Sequence, residues 1–145
     1  MILRAPNLFL FIFQVIAHIG LIYQLVNGSY TMWAITCIVY FITGCFGMTM
    51  TFHRLLSHKS YTSPKWFYYL GTLCGFYGLT GSPLAWVAVH REHHRYTDKE
   101  ADPHSPLHKS FIRIQWLSMF EQAKVRYVPD MTKDKFQVFL HKNYF

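Results

Sequence analysis

Apolar residues run almost unbroken through the first third of the chain. Residues 7–26, NLFLFIFQVIAHIGLIYQLV, make a stretch that as helix is ~30 Å long, the thickness of a bilayer's hydrocarbon core. NGSY at 27–30 supplies turn residues, and residues 31–52, TMWAITCIVYFITGCFGMTMTF, form a second stretch of similar length. The pattern predicts two antiparallel transmembrane helices, about 7–26 and 31–52, joined by a very short turn. Their β-branched and aromatic content is no objection, because a chain in lipid must satisfy its backbone hydrogen bonds internally. The first stretch reads as a retained span: it is long for a signal-peptide core, and no A-x-A-like cleavage site follows it. Its polar residues Gln14, His18 and Gln24 are expected to face a neighbouring helix.

A third uncharged stretch, WFYYLGTLCGFYGLTGSPLAWVAV at 66–89, is broken by GLTGSP at 78–83. Too few residues remain before the break to cross a bilayer, which predicts an interfacial or re-entrant segment over 66–82. The topology matters. A crossing would put His53 and His58 a membrane's width from His90, His93 and His94, whereas a segment that dips and returns lets the two groups meet. Beyond Arg95, Asp102–Pro103 and Ser105–Pro106 form turns. Phe111, Ile114 and Leu117 at helical spacing fit an interfacial helix, and KDKFQVFLH at 133–141 reads as another short one. His108 and His141 belong to no motif and read as surface residues. The expected fold class is an all-α membrane protein forming a single domain over 1–145. It comprises a two-helix transmembrane hairpin, a re-entrant or interfacial segment, and cytoplasmic interfacial helices.

Charge sharpens this picture. No Asp, Glu, Lys or Arg occurs between Arg4 and Arg54, and charged residues make up 14% of the chain, against roughly 25% in soluble domains. The 27–30 turn is uncharged, while Arg4, Arg54, Lys59 and Lys65 flank the other ends of the spans. Positive residues accumulate on the cytoplasmic side, so the protein is expected to be integral and multi-pass, with the histidine regions 53–58 and 90–145 cytoplasmic. The net charge of +7 is scattered and follows a greasy region, which fits membrane loops; no nucleic acid partner is expected. Cys37, Cys45 and Cys74 match no metal spacing and read as small buried hydrophobes.

Two histidine groups remain: HRLLSH at 53–58 and HREHH at 90–94. On a helix His90, His93 and His94 fall within an arc of roughly 100°, so their nitrogens can converge on one metal ion or bridge two. His53 and His58 diverge by about 140° on an undistorted helix and act together best if the second span ends between them. Interfacial surface histidines are the bland reading for any single one, but five in two tight groups directly after apolar segments point to a metal. Neutral imidazole suits iron, zinc or copper; no Cys ligands and no H-E-x-x-H accompany them, which disfavours a zinc finger or zincin.

HRLLSHKSY and WVAVHREHHRYTDKEADPHSP resemble the first two histidine boxes of membrane fatty acyl desaturases of the acyl-CoA and acyl-lipid Δ9 type. The flanking pattern is far more specific than the bare spacings, and the resemblance runs from the first span to about Pro129. It implies a di-iron centre with His53, His58, His90, His93 and His94 as iron ligands, and Trp86 lining the acyl tunnel. His104, in the DPH element, is not a ligand in that family. The implied reaction introduces a cis double bond, at Δ9, into a saturated fatty acyl-CoA or acyl-lipid, with O2 and an electron donor such as ferredoxin or cytochrome b5. The partners so implied also include membrane lipid. Removing hydrogen from an unactivated methylene is beyond any side chain, so oxygen must be activated by a metal.

The family carries a third box, H-x-x-H-H, beyond two further spans, and this sequence has neither. The expectation is therefore the N-terminal portion of a desaturase, inactive alone. Two alternatives are a lipid hydroxylase of the same chemistry, and a non-catalytic membrane protein binding metal or haem through paired histidines.

Overall fold

The computed structural model describes residues 2–3, 7–120 and 122–144. Arg4, used above for orientation, lies outside the described residues. Helix α1 spans Asn7–Asn27. Gly28 follows because nothing larger fits: a Cβ there would lie 2.3 Å from the Gln24 carbonyl oxygen. Ser29 then caps α2 (Tyr30–Tyr40), its hydroxyl accepting the Met32 N–H at 3.3 Å. The second helix does not stop at Tyr40. It continues through Phe41–Ser57 with a looser, i→i+5 winding, so the second span runs five residues beyond the predicted 52.

Both helices, Leu8–Asn27 with 20 residues and Tyr30–Ser57 with 28, are long and apolar enough to cross a membrane. Their outward faces expose Leu8, Ile16, Ile19, Leu25, Ile35, Ile38 and Phe41. Soluble monomers rarely leave an apolar face this large uncovered, and lipid is its natural cover. The polar residues turn inward, as expected. Gln24 accepts from the Thr36 hydroxyl (3.0 Å), Gln14 donates to the Gln115 carbonyl (2.9 Å), and the His18 ring lies 4.5 Å from that of Trp116. One expectation fails. Cys37 is exposed on the outer face of α2, where lipid rather than protein would cover it, and Cys45 and Cys74 are only half-buried.

Helix α3 (Lys65–Phe76) runs back along Phe41–Ser57 at very close range. A Cβ on Gly47 would sit 2.3 Å from the Gly75 nitrogen, and one on Gly71 would sit 2.1 Å from the Thr51 hydroxyl. These pairings are antiparallel, so the chain descends from the level of the first histidine group to that of Met48. It reverses through 77–82, where Leu79 and Gly81 take positive φ (55° and 114°) and the Thr80 hydroxyl meets Met48 Sδ at 3.2 Å. It then climbs again as α4 (Pro83–Tyr96), which starts on the Ser82 cap with Pro in its first turn. With 12 residues, or about 18 Å, α3 is shorter than a bilayer core. The down-and-back path brings both histidine groups to the same end.

The rest of the chain locks this arrangement. Helix α5 (Phe111–Trp116) lies against α1, and α6 (Lys135–Lys142) packs on α4. A two-residue strand β1 (Ile2–Leu3), absent from the predicted elements, pairs antiparallel with β2 (Ala123–Lys124). Phe52, Leu56, Leu84, Val87, Ala88, Val128 and Met131 form the main buried core. At the turn, the Tyr144 hydroxyl accepts the Gly81 N–H (2.9 Å), and His141 Nδ1 lies 2.6 Å from the Ser82 hydroxyl. His141 is thus half-buried against the turn rather than on the surface. His108 is exposed as expected.

Candidate metal centre

The first histidine pair depends on the loosened winding. An α-helix would separate residues 53 and 58 by about 140°, but i→i+5 hydrogen bonding puts residues five apart on one face. The His58 N–H accordingly donates to the His53 carbonyl at 3.1 Å. The hydroxyls of Thr49, Thr51 and Ser57 reach the carbonyls of Gly44 (3.1 Å), Phe46 (2.9 Å) and Phe52 (2.7 Å), each five residues back. Such windings are rare and gather at functional sites. The expectation that the helix ends between the two histidines holds: its last residue is Ser57, with His58 as the capping residue. Lys59 then takes a positive φ of 52°, and Ser60 donates from its amide and its hydroxyl to the Arg54 carbonyl, both at 3.0 Å.

Opposite this pair, α4 presents His90 and His94 one turn apart. Ring nitrogens of His53, His58, His90 and His94 all lie within 4.8 Å of one another. The Nε2 of His90 is 3.1 Å from the Nε2 of both His58 and His94. Imidazole nitrogens bound ~2.1 Å from one ion are separated by about 3–4 Å, so this donor set fits a single transition-metal ion with little adjustment. Burial, reinforced by the neighbouring imidazoles, pushes His90 down to about 3 and lowers His58 as well. His90 is therefore a neutral lone-pair donor at physiological pH. His58 and His94 are exposed, which leaves one side of the cluster open.

His93 stands apart from the four. Its Nδ1–H donates to Asp102 Oδ1 at 2.8 Å, and its ring lies 5.3 Å from His94 and 6.4 Å from His90. Asp102 is fully buried and accepts two further N–H groups, from His104 (2.8 Å) and Asp98 (3.0 Å). Burial raises its carboxyl, but these hydrogen bonds outweigh it and leave the group below the usual carboxylate range.

Two more residues went unassigned in the sequence reading. Arg91 points away from the imidazoles and donates to the carbonyls of Leu56 (2.7 Å), Ser57 (3.3 Å) and Tyr127 (2.9 Å), and to both oxygens of Asp130 (2.8 and 3.0 Å). The last carbonyls of a helix lack internal partners, so Arg91 clamps the end of the first histidine segment onto the second. The paired Arg91 guanidinium and Lys59 ammonium hold the Asp130 carboxyl well below its ordinary range against the opposing effect of burial. Arg91 lies inside the second histidine group and Asp130 about forty residues beyond it, and nothing in their spacing announces a clamp.

Trp86 stacks on His90 with ring centroids 4.8 Å apart and planes 14° from parallel. The two open onto a cavity of about 640 Å³ whose other walls come from Leu10, Phe13 and Ala17 of α1, the 78–81 turn, and Ile114 of α5. His104 also reaches this cavity.

The family model for fatty acid desaturase matches residues 31–143, which contain the histidines, Trp86, Arg91, Asp102 and Asp130 but not the α1 wall of the cavity. The chain belongs to the fatty acid desaturase family. Among its desaturase relatives, the palmitoyl-monogalactosyldiacylglycerol delta-7 desaturase of Arabidopsis thaliana is 40% identical over 73% of this chain and 30% of its own length. The sn-1 stearoyl-lipid 9-desaturase of Anabaena variabilis is 35% identical over 86% of this chain and 48% of its own. The delta-9 acyl-lipid desaturase 1 of Arabidopsis thaliana is 41% identical over 63% and 30%. The chain thus spans less than half the length of these desaturases. No solved structure matches it significantly.

Proposed function

We propose that this chain forms the membrane-inserted, iron-binding part of a fatty acyl desaturase that introduces a cis double bond at Δ9 of a saturated acyl chain. The observation that carries this reading is the meeting of four imidazoles from two separate segments beside the Trp86-lined apolar cavity. In this reading His53, His58, His90 and His94 hold one iron and His93 faces a second. Further ligands in this reading come from a third H-x-x-H-H element, which is not among these 145 residues. The helices α1 and α2, continued to Ser57, span the bilayer, α3 and the 77–82 turn dip into it and return, and the histidines lie on the cytoplasmic side. The 9-desaturases of Anabaena and Arabidopsis among the relatives support the Δ9 position, and their names support an acyl-lipid substrate, with acyl-CoA as the other carrier.

The net reaction takes one hydrogen from each of two adjacent methylenes and, with O2, two protons and two electrons from a ferredoxin or cytochrome b5 type donor, yields the alkene and two waters. Bound iron supplies the oxygen activation that no side chain offers. The protein's own residues do the rest. The cavity walls take the acyl chain out of water, and Phe13, Ala17, Val89 and Ile114 fix its path by shape alone. Trp86 covers His90 and holds its ring edge-on to its partners, while Arg91 keeps the two histidine segments in register. The dry wall also limits loss of oxidant to side reactions.

The test is expression of the reading frame, extended past the Phe145 codon, in a yeast strain without its own Δ9 desaturase, followed by analysis of membrane fatty acids. A Δ9-monoenoic product, abolished by His94→Ala, is expected. A hydroxylated chain would instead indicate the hydroxylase, and a haem spectrum without product the binding protein.

A further inference from the structure

Five imidazoles crowd one end of this molecule, yet they are not equivalent. Four have ring nitrogens gathered within 4.8 Å of one another. His93 shares their helix and lies one residue from His94, but its ring is turned out of the group by a hydrogen bond from Nδ1 to Asp102 (2.8 Å). Among the described residues no other member of the five is paired with a carboxylate, and no hydrogen bond reaches His93 Nε2.

Asp102 is unusually committed to this contact. It has no accessible surface, and its second oxygen takes the Asp98 N–H at 3.0 Å while the first also takes the His104 N–H at 2.8 Å. Asp98 itself adopts a positive φ of 59°, and Pro103 locks the following residue, so the loop 98–104 is folded around the carboxylate. A carboxylate with these donors can only accept. The proton on His93 must therefore sit on Nδ1, and the Nε2 lone pair is left free. Carboxylate partners of this kind fix the tautomer and orientation of metal-bound histidines and raise their basicity.

We propose that Asp102 is the positioning residue that holds His93 as its Nδ1–H tautomer and presents Nε2 to a metal position distinct from the one surrounded by His53, His58, His90 and His94. This extends the iron-binding reading above, but its first test does not depend on metal. The loop 98–104, exposed over 98–101 and buried at Asp102 and Pro103, is then part of the centre rather than a spacer: its fold around Asp102 sets the direction of one ligand, and Asp102 touches neither metal nor substrate.

The experiment uses the full chain in lipid nanodiscs, with imidazole nitrogens labelled with ¹⁵N, free of metal and above the pH at which histidines protonate. In the wild type His93 is expected to give the pure Nδ1–H pattern. In Asp102→Ala, which removes the acceptor at Nδ1, the pattern is expected to shift to Nε2–H or a mixture. Cobalt binding to the other four imidazoles, read from its visible spectrum, serves as the internal control of fold. Retention of the pure Nδ1–H pattern in Asp102→Ala, with cobalt still bound, would overturn the proposal, as would an Nε2–H pattern in the wild type. Should Asp102→Ala fail to bind cobalt, His93→Gln carries the test: the ¹³C signal of the Asp102 carboxylate is expected to move, and an unmoved signal overturns the proposal. Absence of cobalt binding in the wild type with the tautomer intact would count against the iron-binding reading while leaving the role of Asp102 supported.

Discussion

Replacing Arg91 with Gln should separate the two histidine segments while leaving the membrane hairpin untouched. The Arg91 side chain is only 19% exposed and makes five hydrogen bonds, three to backbone carbonyls and two to Asp130, whose carboxylate is 34% exposed. Breaking a buried charged pair by removing one partner costs ~3–5 kcal/mol, and the partial exposure of Asp130 argues for the lower end. Gln can recover one of the carbonyl contacts, worth about 1 kcal/mol, so the net loss is expected near ~2 kcal/mol. At about 1.4 kcal/mol per tenfold, that raises the local opening equilibrium by roughly 30-fold. Amide hydrogen exchange followed by mass spectrometry reads this directly. Peptides covering 54–60 and 125–131 should lose protection by about that factor, while those of α1 stay unchanged. Arg91→Lys keeps the charge but not the fork and should fall between. A change below about threefold in Arg91→Gln would refute the clamp and reduce Arg91 to a surface cation.

Further expectations follow from the packing and the electrostatics. Gly47→Val puts side-chain atoms where the Gly75 backbone lies. Overpacking of this kind costs ~1–3 kcal/mol or more, and protease accessibility of α3 should rise. His90 stays neutral down to about pH 3 in the folded chain but protonates at an ordinary imidazole pH when released. The unfolded form therefore binds the extra proton first, so the metal-free chain should lose stability as pH falls from about 6.5 towards 3, a slope that should be shallower but not absent in thermal melts of His90→Gln, because burial lowers His58 and His141 as well. Asp130, depressed by Arg91 and Lys59, adds a second loss only below the ordinary carboxylate range near 4. Finally, Lys59→Cys and Lys99→Cys should react with an impermeant thiol reagent from the same side of sealed vesicles. Labelling from opposite sides would end the re-entrant topology.

Much of the architecture was written in punctuation. The uncharged run to Arg54 marked the spans, Gly28–Ser29 the hairpin turn, and GLTGSP the reversal that returns α4 to the first histidine group. Period-3.6 spacing placed His90 and His94 on one face of α4, and they do converge. What escaped were features set by partners distant in sequence. The five-residue spacing of His53 and His58 looks wrong for any α-helix, and its solution is a winding sustained by Thr49, Thr51 and Ser57 and by glycine contacts with α3. Asp102 reads as a surface Asp–Pro turn until the loop is seen folded around it. Arg91 carries no assignment until its carbonyl partners from Leu56, Ser57 and Tyr127 are known. The cavity joins α1 to the 114–118 region, a pairing over about a hundred residues that no local pattern encodes.

The account rests on one claim, that segments on either side of the 77–82 reversal build a single metal site. Its most direct test is anaerobic titration of the chain in nanodiscs with ferrous iron, with metal content measured for wild type, His58→Ala and His90→Ala. Tight binding of an ion in the wild type, lost in both variants, is the predicted result. Full binding retained in either variant would mean that the two groups serve separate sites and would contradict it.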